Sequence, residues 1–115
     1  MFSSELIHLI KESNILYSVV VNIEKSTMDT YGERNSIASD NLIDMLFKNI
    51  DCAQNLYRSI SGQIMPQSWR QGDIKCIVCI PKANIIIGLF YFEYRDAIHS
   101  YNWSKELNKK LIELI

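Results

Sequence analysis

Residues 74–94 form the most distinctive stretch of the chain and read Ile74-Lys75-Cys76-Ile77-Val78-Cys79-Ile80-Pro81-Lys82-Ala83-Asn84-Ile85-Ile86-Ile87-Gly88-Leu89-Phe90-Tyr91-Phe92-Glu93-Tyr94. Two runs rich in β-branched and aromatic side chains flank four residues of types that favour a chain reversal, and this pattern predicts a β-hairpin. Apolar side chains fall on both faces of each predicted strand. A hairpin that is apolar on both faces must be covered on both, so we expect it at the centre of a sheet that carries helices on at least one side.

The composition is that of an ordinary folded domain. The chain has 115 residues, 48% of them apolar and 22% charged, with a formal net charge of −1. We therefore expect a single domain over residues 1–115. Charges are scattered, which argues against a nucleic-acid partner. No apolar run approaches the ~20 residues that cross a bilayer, and no secretory leader is evident. These features predict a cytoplasmic protein without membrane insertion.

The sequence carries no recognisable catalytic or metal-binding motif. Cys76 and Cys79 have the spacing of a redox or zinc pair, but residues three apart on a strand point to opposite faces. We expect these thiols to be buried as small apolar groups. The chain also lacks a glycine-rich phosphate loop, a nucleophile elbow and a zinc-protease helix. The expectation is a protein that binds, without a cofactor and without enzymatic activity.

The remaining elements follow from periodicity and capping residues. Ser3 and Ser4 can cap a first helix that ends near residues 13–14, and an alternating pattern over residues 15–24 predicts a strand. A short second strand is predicted over residues 27–31. A heptad-like apolar stripe predicts one long helix over residues 37–61, capped by Ser36 and ended by Gly62. At 1.5 Å per residue this helix is about 35 to 40 Å long, more than a small sheet needs, so part of it is expected to meet another chain.

The last third of the chain completes an α+β fold. Pro66 excludes the start of residues 63–73 from a central strand, so this segment is predicted as an edge strand. Trp69 and Arg70 within it are of the types in which binding energy concentrates. Asn102 can cap a final helix that runs to residue 115. The predicted architecture is a mostly antiparallel sheet of about five strands with helices packed on it, in the order α-β-β-α-β-β-β-α.

This order and length resemble those of a roadblock (dynein light-chain) domain. The residues that carry the resemblance are Tyr57-Arg58-Ser59-Ile60-Ser61-Gly62, Trp69-Arg70-Gln71-Gly72-Asp73, Ile77-Val78-Cys79-Ile80 and Ile85-Ile86-Ile87-Gly88-Leu89-Phe90, at the places of the family's second helix and last three strands. The chain departs from the family between the first two strands, where Glu24-Lys25-Ser26-Thr27 replaces an Asp-Gly type of turn. Profilin-like and longin-like folds remain alternatives.

The resemblance implies a non-catalytic homo- or heterodimer that forms through the second helix and the strand after it. Such dimers scaffold or regulate small Ras-like GTPases, or act as adaptors in larger assemblies. The predicted interface residues are Ile50, Tyr57, Ile64, Trp69 and Arg70.

Two other functions are open at this stage. One is a small bacterial inhibitor or immunity-type protein that occludes a toxin or enzyme as a monomer, with an acidic and aromatic patch of Asp29, Tyr31, Glu33, Glu93, Tyr94 and Asp96. The other is a small-molecule sensor whose pocket is lined by Phe90, Phe92 and Trp103.

Overall fold

A computed structural model describes residues 2–37 and 41–115. In chain order its elements are α1 (Ser4–Glu12), β1 (Tyr17–Asn22), β2 (Thr27–Gly32), a 3-10 turn (Arg34–Ser36), α2 (Asn41–Phe47), α3 (Ile50–Ile60), β3 (Gln67–Gln71), β4 (Ile74–Lys82), β5 (Ile85–Phe92) and α4 (Ala97–Leu114). The predicted α+β order is confirmed, including the short second strand.

The five strands form one antiparallel sheet in the order β2-β1-β5-β4-β3. The predicted hairpin is at its centre, since Ile87 of β5 faces Val20 of β1 on one side and Cys79 of β4 on the other. The reversal is shorter than predicted. Pro81 lies within β4, beside an irregularity in register between Cys79 and Lys82.

Each face of the sheet is covered by two helices, which confirms that the hairpin is buried on both sides. On the side that we call the α3 face, α2 and α3 pack on the apolar side chains of alternate strand positions, such as Val19, Cys76 and Phe90. On the opposite side, the α4 face, α1 and α4 pack on the intervening positions, such as Val20 and Ile87. The two-residue period of the strands therefore sorts the apolar residues into two separate cores.

The predicted helix over residues 37–61 is wrong in its length and continuity. Ile37 has an extended conformation (φ −97°, ψ 116°), and residues 38–40 lie outside the described part of the chain. The helix is also interrupted between α2 and α3, where Asn49 is extended (φ −155°) and its side chain accepts a hydrogen bond from the N–H of Cys52. Asn49 is thus the N-cap of a new helix. Because of this break, the described residues do not form the single long helix whose length suggested a contact with another chain.

The two terminal helices differ in how well they match the prediction. Ser3 caps α1 by accepting a hydrogen bond from the N–H of Leu6, as expected. In contrast, α4 begins five residues before the predicted cap at Asn102, because the side chain of Asp96 accepts a hydrogen bond from the N–H of His99. None of the helices in residues 2–37 and 41–115 is both long enough and apolar enough to cross a bilayer.

Candidate interaction surface

β3 is an edge strand whose outer backbone groups face no other strand. Within the described residues it pairs with β4 alone. A two-residue turn joins β3 to β4, with Gly72 at a φ of +60°. In a two-residue hairpin the pair of residues that flanks the turn is hydrogen-bonded, and bonded and non-bonded pairs alternate from there along the ladder. Ser68 and Arg70 belong to non-bonded pairs, so their backbone N–H and C=O groups point away from β4 to the open edge. This edge can accept a strand from another chain.

Trp69 lies on the α3 face of this edge strand. It is half-buried, stands opposite Cys76 in the β3–β4 ladder and packs against the apolar cluster of the α3 face. Helix α2 packs against β3 on the same side. Trp69 therefore closes the rim of this core.

Arg70 and Ile64 lie on the other side of β3. Arg70 is exposed; its Nε donates to the carbonyl oxygen of Gly72 at 2.9 Å and its Nη2 to that of Glu93 at 3.5 Å. Ile64 precedes β3 and is 86% exposed. Both residues line a cavity of about 400 Å³ between β3 and α4. We call this cavity the β3/α4 groove.

Tyr57 and Ile50 lie on α3. The Tyr57 ring is half-buried against the α3-face cluster, and its hydroxyl accepts a hydrogen bond from the backbone N–H of Asn84 at 2.9 Å. The carbonyl of Asn84 in turn accepts from the N–H of Ile23 at 2.7 Å. Tyr57 therefore ties α3 to the turns at one end of the sheet. Ile50, the first residue of α3, is half-buried.

The five predicted interface residues do not form one patch. Trp69 and Tyr57 pack on the α3 face, whereas Arg70 and Ile64 line the β3/α4 groove. Strand β3 connects the two groups, because Trp69 and Arg70 are adjacent in it and point to opposite faces. Their role in an interface stays a prediction.

Sequence reasoning missed a buried charge cluster at the base of the β3/α4 groove. The Glu93 side chain is only 1% exposed, and its Oε2 accepts a hydrogen bond from Nη1 of Arg95 at 3.0 Å. The Nζ of Lys75 lies 3.7 Å from Oε1 of Glu93 and donates to Oγ of Ser100 at 2.8 Å. The signal in the sequence was Lys75 within an apolar strand, since hairpin pairing brings it beside the end of β5, where Glu93 follows.

Cys76 and Cys79 lie on opposite faces of the sheet, as the strand period predicts. Burial raises the pKa of the Cys79 thiol from 9.0 to about 12, and burial, followed by the charge of Cys79, raises the pKa of Cys76 well above 9.0. Both thiols are therefore protonated and weakly nucleophilic at neutral pH. Among the described residues, no group of three or more potential ligands is placed to hold a metal ion.

The geometry also bears on the two other functions considered from the sequence. Phe90 is buried on the α3 face, whereas Trp103 packs against Tyr91 on the α4 face, so the two rings cannot line one pocket. Glu93 is buried in its ion pairs and is not available to an exposed acidic patch. The sensor pocket predicted from these rings is therefore wrong, and the acidic patch loses one of its members.

Comparison with known proteins gives matches in structure but not in sequence. No family model matches the chain, and no curated protein matches it in sequence. MglB from Myxococcus xanthus superposes with a TM-score of 0.54 at 14% identity, covering 93% of this chain and 88% of its own. MglC from the same organism gives 0.54 at 10% identity, covering 93% and 99%.

A roadblock/LC7 domain from Streptomyces avermitilis gives a TM-score of 0.51 at 10% identity and covers 91% of this chain and 89% of its own. At these identities the similarity concerns the fold. Together with the element order and the sheet topology, the matches show that this chain has a roadblock-like fold.

Proposed function

We propose that this chain is a non-catalytic binding module that pairs with a second roadblock-like chain, identical or related, along β3. In this form it scaffolds or regulates a small Ras-like GTPase or a larger assembly. The observation that carries the proposal is the open edge of β3, at which Ser68 and Arg70 present unpaired backbone groups. An edge strand of this kind is a template for pairing unless another strand covers it.

Two further features support pairing at this edge. Trp69 lies at the rim of the α3 face, and Ile64 is almost fully exposed next to β3. A partner strand paired along β3 covers apolar surface of both side chains. Roadblock-like folds are expected to join two sheets into one through the second helix and the following strand, and α2 here packs against β3.

The pairing is tested by mass in solution across a concentration series. Light scattering should give a species of twice the 13.4 kDa of one chain. Ser68→Pro removes the N–H that points to the open edge and leaves the ladder to β4 intact, so it should shift the population to monomer. Ser68→Ala keeps that N–H and is the matched control, which should remain dimeric.

A second variant guards against a folding defect in Ser68→Pro. Ile64→Asp replaces an exposed side chain, so the thermal midpoint of the monomer should be unchanged while the dimer weakens. A wild-type protein that stays monomeric at every concentration would contradict the pairing and favour the monomeric inhibitor.

The proposed interaction with a small Ras-like GTPase is tested by a separate binding measurement. The dimer is mixed with small Ras-like GTPases of the same organism, loaded with GDP or a non-hydrolysable GTP analogue, and complexes are separated by size. We expect a complex with the wild-type dimer and none with Ser68→Pro. If the intact dimer binds none of these GTPases, the GTPase part is wrong while the pairing stands.

A further inference from the structure

The β3/α4 groove is formed entirely by residues of one chain. It exists because α4 packs over β4 and leaves the same side of β3 uncovered. Its walls are residues 64–66, the α4-facing side chains of β3, and the first two turns of α4. Its volume of about 400 Å³ is in the range of small-molecule sites.

The charges along the groove do not balance. Four cationic side chains line it, namely Arg70, Lys75, Arg95 and Lys105, and one carboxylate, that of Glu93. Lys75 and Arg95 are largely buried, with 19% and 16% of their side chains exposed. Two or more buried or half-buried cations without a matching number of carboxylates attract an anion.

Three of these cations are held in position by other groups of the protein. Arg95 donates to Oε2 of Glu93 and its guanidinium carbon lies 4.0 Å from the centroid of the Trp103 ring. Lys75 donates to Oγ of Ser100, which is itself buried. On the β3 wall of the groove, opposite α4, Arg70 donates hydrogen bonds to two backbone carbonyl oxygens. An anion that enters the groove thus meets donors that are already positioned.

The carboxylate of Glu93 sets a second requirement for a ligand that binds in the groove. Oε1 of Glu93 is buried and accepts no hydrogen bond from any residue in the described part of the chain. A buried acceptor of this kind normally has a partner. A ligand that fits the groove therefore carries an anionic group for the cations and a hydrogen-bond donor, such as a hydroxyl, for Glu93.

We propose that the β3/α4 groove binds a small phosphorylated polyol, with its phosphate between Arg70, Lys75 and Lys105 and one of its hydroxyls donating to Oε1 of Glu93. A phosphate suits this site better than a single carboxylate, because its two negative charges offset more of the cationic surplus and because it accepts several N–H donors at once.

The test uses ribose 5-phosphate, ribose and inorganic phosphate as probes, measured by calorimetry at low salt. Ribose 5-phosphate should bind at least about tenfold more tightly than inorganic phosphate, since only the sugar phosphate satisfies Glu93 as well as the cations. Ribose alone should show no binding, and added salt should weaken the binding of the sugar phosphate.

Two variants on different walls locate the site. Lys105→Gln and Arg70→Gln should each reduce the affinity for ribose 5-phosphate by about tenfold. Lys109→Gln is the matched control, because Lys109 is an exposed lysine one turn further along α4 and does not line the groove. It should leave the affinity unchanged.

Three results would overturn the proposal. The first is no binding of ribose 5-phosphate at millimolar concentration. The second is equal affinity for ribose 5-phosphate and inorganic phosphate, which shows attraction of an anion without a role for Glu93. The third is a loss of affinity in Lys109→Gln as large as in Lys105→Gln, which shows that net charge alone drives binding.

Discussion

The two faces of the sheet differ in what they bury. The α3 face is apolar throughout the described residues, with Phe47, Phe90 and their neighbours in contact with one another. The α4 face contains every buried polar or charged residue of that part of the chain, namely Ser18, Glu93, Ser100, Ser104 and Asn108. All four buried side-chain atoms without a hydrogen-bond partner lie on it as well, on Ser18, Tyr91, Glu93 and Asn108.

The two faces therefore contribute differently to stability and to binding. Apolar packing on the α3 face stabilises the fold, because burial of apolar area is favourable and leaves no polar group unpaired. Unpaired polar groups on the α4 face cost stability, and such costs are typical of sites that bind something. The comparison leads to four predictions, given from the largest expected effect to the smallest.

Phe47→Ala should cause the largest loss. Phe47 is fully buried on the α3 face and its ring meets that of Phe90 edge to face. Truncation should lower the free energy of unfolding by about 3–5 kcal/mol, measured by urea denaturation. Met45→Ala on the same helix is the control, because Met45 is 58% exposed, and it should change stability by less than about 0.5 kcal/mol. Similar losses for both would mean that the α3 face is not the main core.

Alkaline pH should destabilise the fold, because each face of the sheet buries one cysteine thiol, Cys76 on the α3 face and Cys79 on the α4 face. The unfolded chain releases the protons of Cys76 and Cys79 near pH 9.0, whereas the folded chain keeps them because burial raises both pKa values. The contribution of the two thiols to the free energy of unfolding should therefore be constant below pH 8 and fall above pH 9, by about 1.4 kcal/mol per thiol for each pH unit.

Alanine variants divide this alkaline effect between the two faces. Cys76→Ala on the α3 face and Cys79→Ala on the α4 face should each remove about half of the decline between pH 9 and 10. Some decline persists at higher pH, because burial, followed by the charge of Glu93, raises the pKa of Tyr91 above its usual 10.0. A decline that is the same in both variants as in the wild type would show that the thiols are not its cause.

Gly88→Ala should show how tightly the α3 face is packed. A Cβ at position 88 would collide with the ring of Phe47, which lies directly over the glycine. We expect a loss of about 1–3 kcal/mol in the free energy of unfolding. In a Phe47→Leu background the same substitution should cost less, since the ring is gone, and this double-mutant cycle identifies the contact. Additive losses would contradict it.

Two tyrosines should respond differently when they lose their hydroxyls. Tyr91→Phe on the α4 face removes a buried unpaired hydroxyl and should leave stability unchanged or raise it by about 1 kcal/mol. Tyr57→Phe removes the acceptor of the Asn84 N–H and should lower stability by about 1 kcal/mol. Thermal denaturation of both variants measures the difference, and a loss of stability in Tyr91→Phe would indicate an ordered partner for its hydroxyl.

Local patterns in the sequence were sufficient for the strands and for the division of the core. The two-residue period of a strand was enough to predict that the hairpin is apolar on both faces and that Cys76 and Cys79 lie on opposite ones, because successive side chains of a strand alternate whatever surrounds it. Ser3 also marked the start of α1 correctly, since capping involves only neighbouring residues.

Two helix boundaries were within reach of the sequence but were misplaced. The apolar stripe continues across the break between α2 and α3, so periodicity alone merged them, although Asn49 followed by Asp51 is an N-cap signal. Asp96, directly before the first residue of α4, is a similar N-cap signal. In both cases a side-chain cap outweighed the periodic pattern.

The sequence by itself determined the element order, the two apolar faces and the edge position of β3, because these depend on side-chain type and on the local period of the backbone. Only the tertiary structure decided that Lys75 and Arg95 enclose Glu93, that Tyr57 holds the turn at Asn84, and that Arg70 lies across a groove from α4. These contacts join residues as far as 27 positions apart. Such pairs depend on strand register and helix placement, which no local pattern encodes.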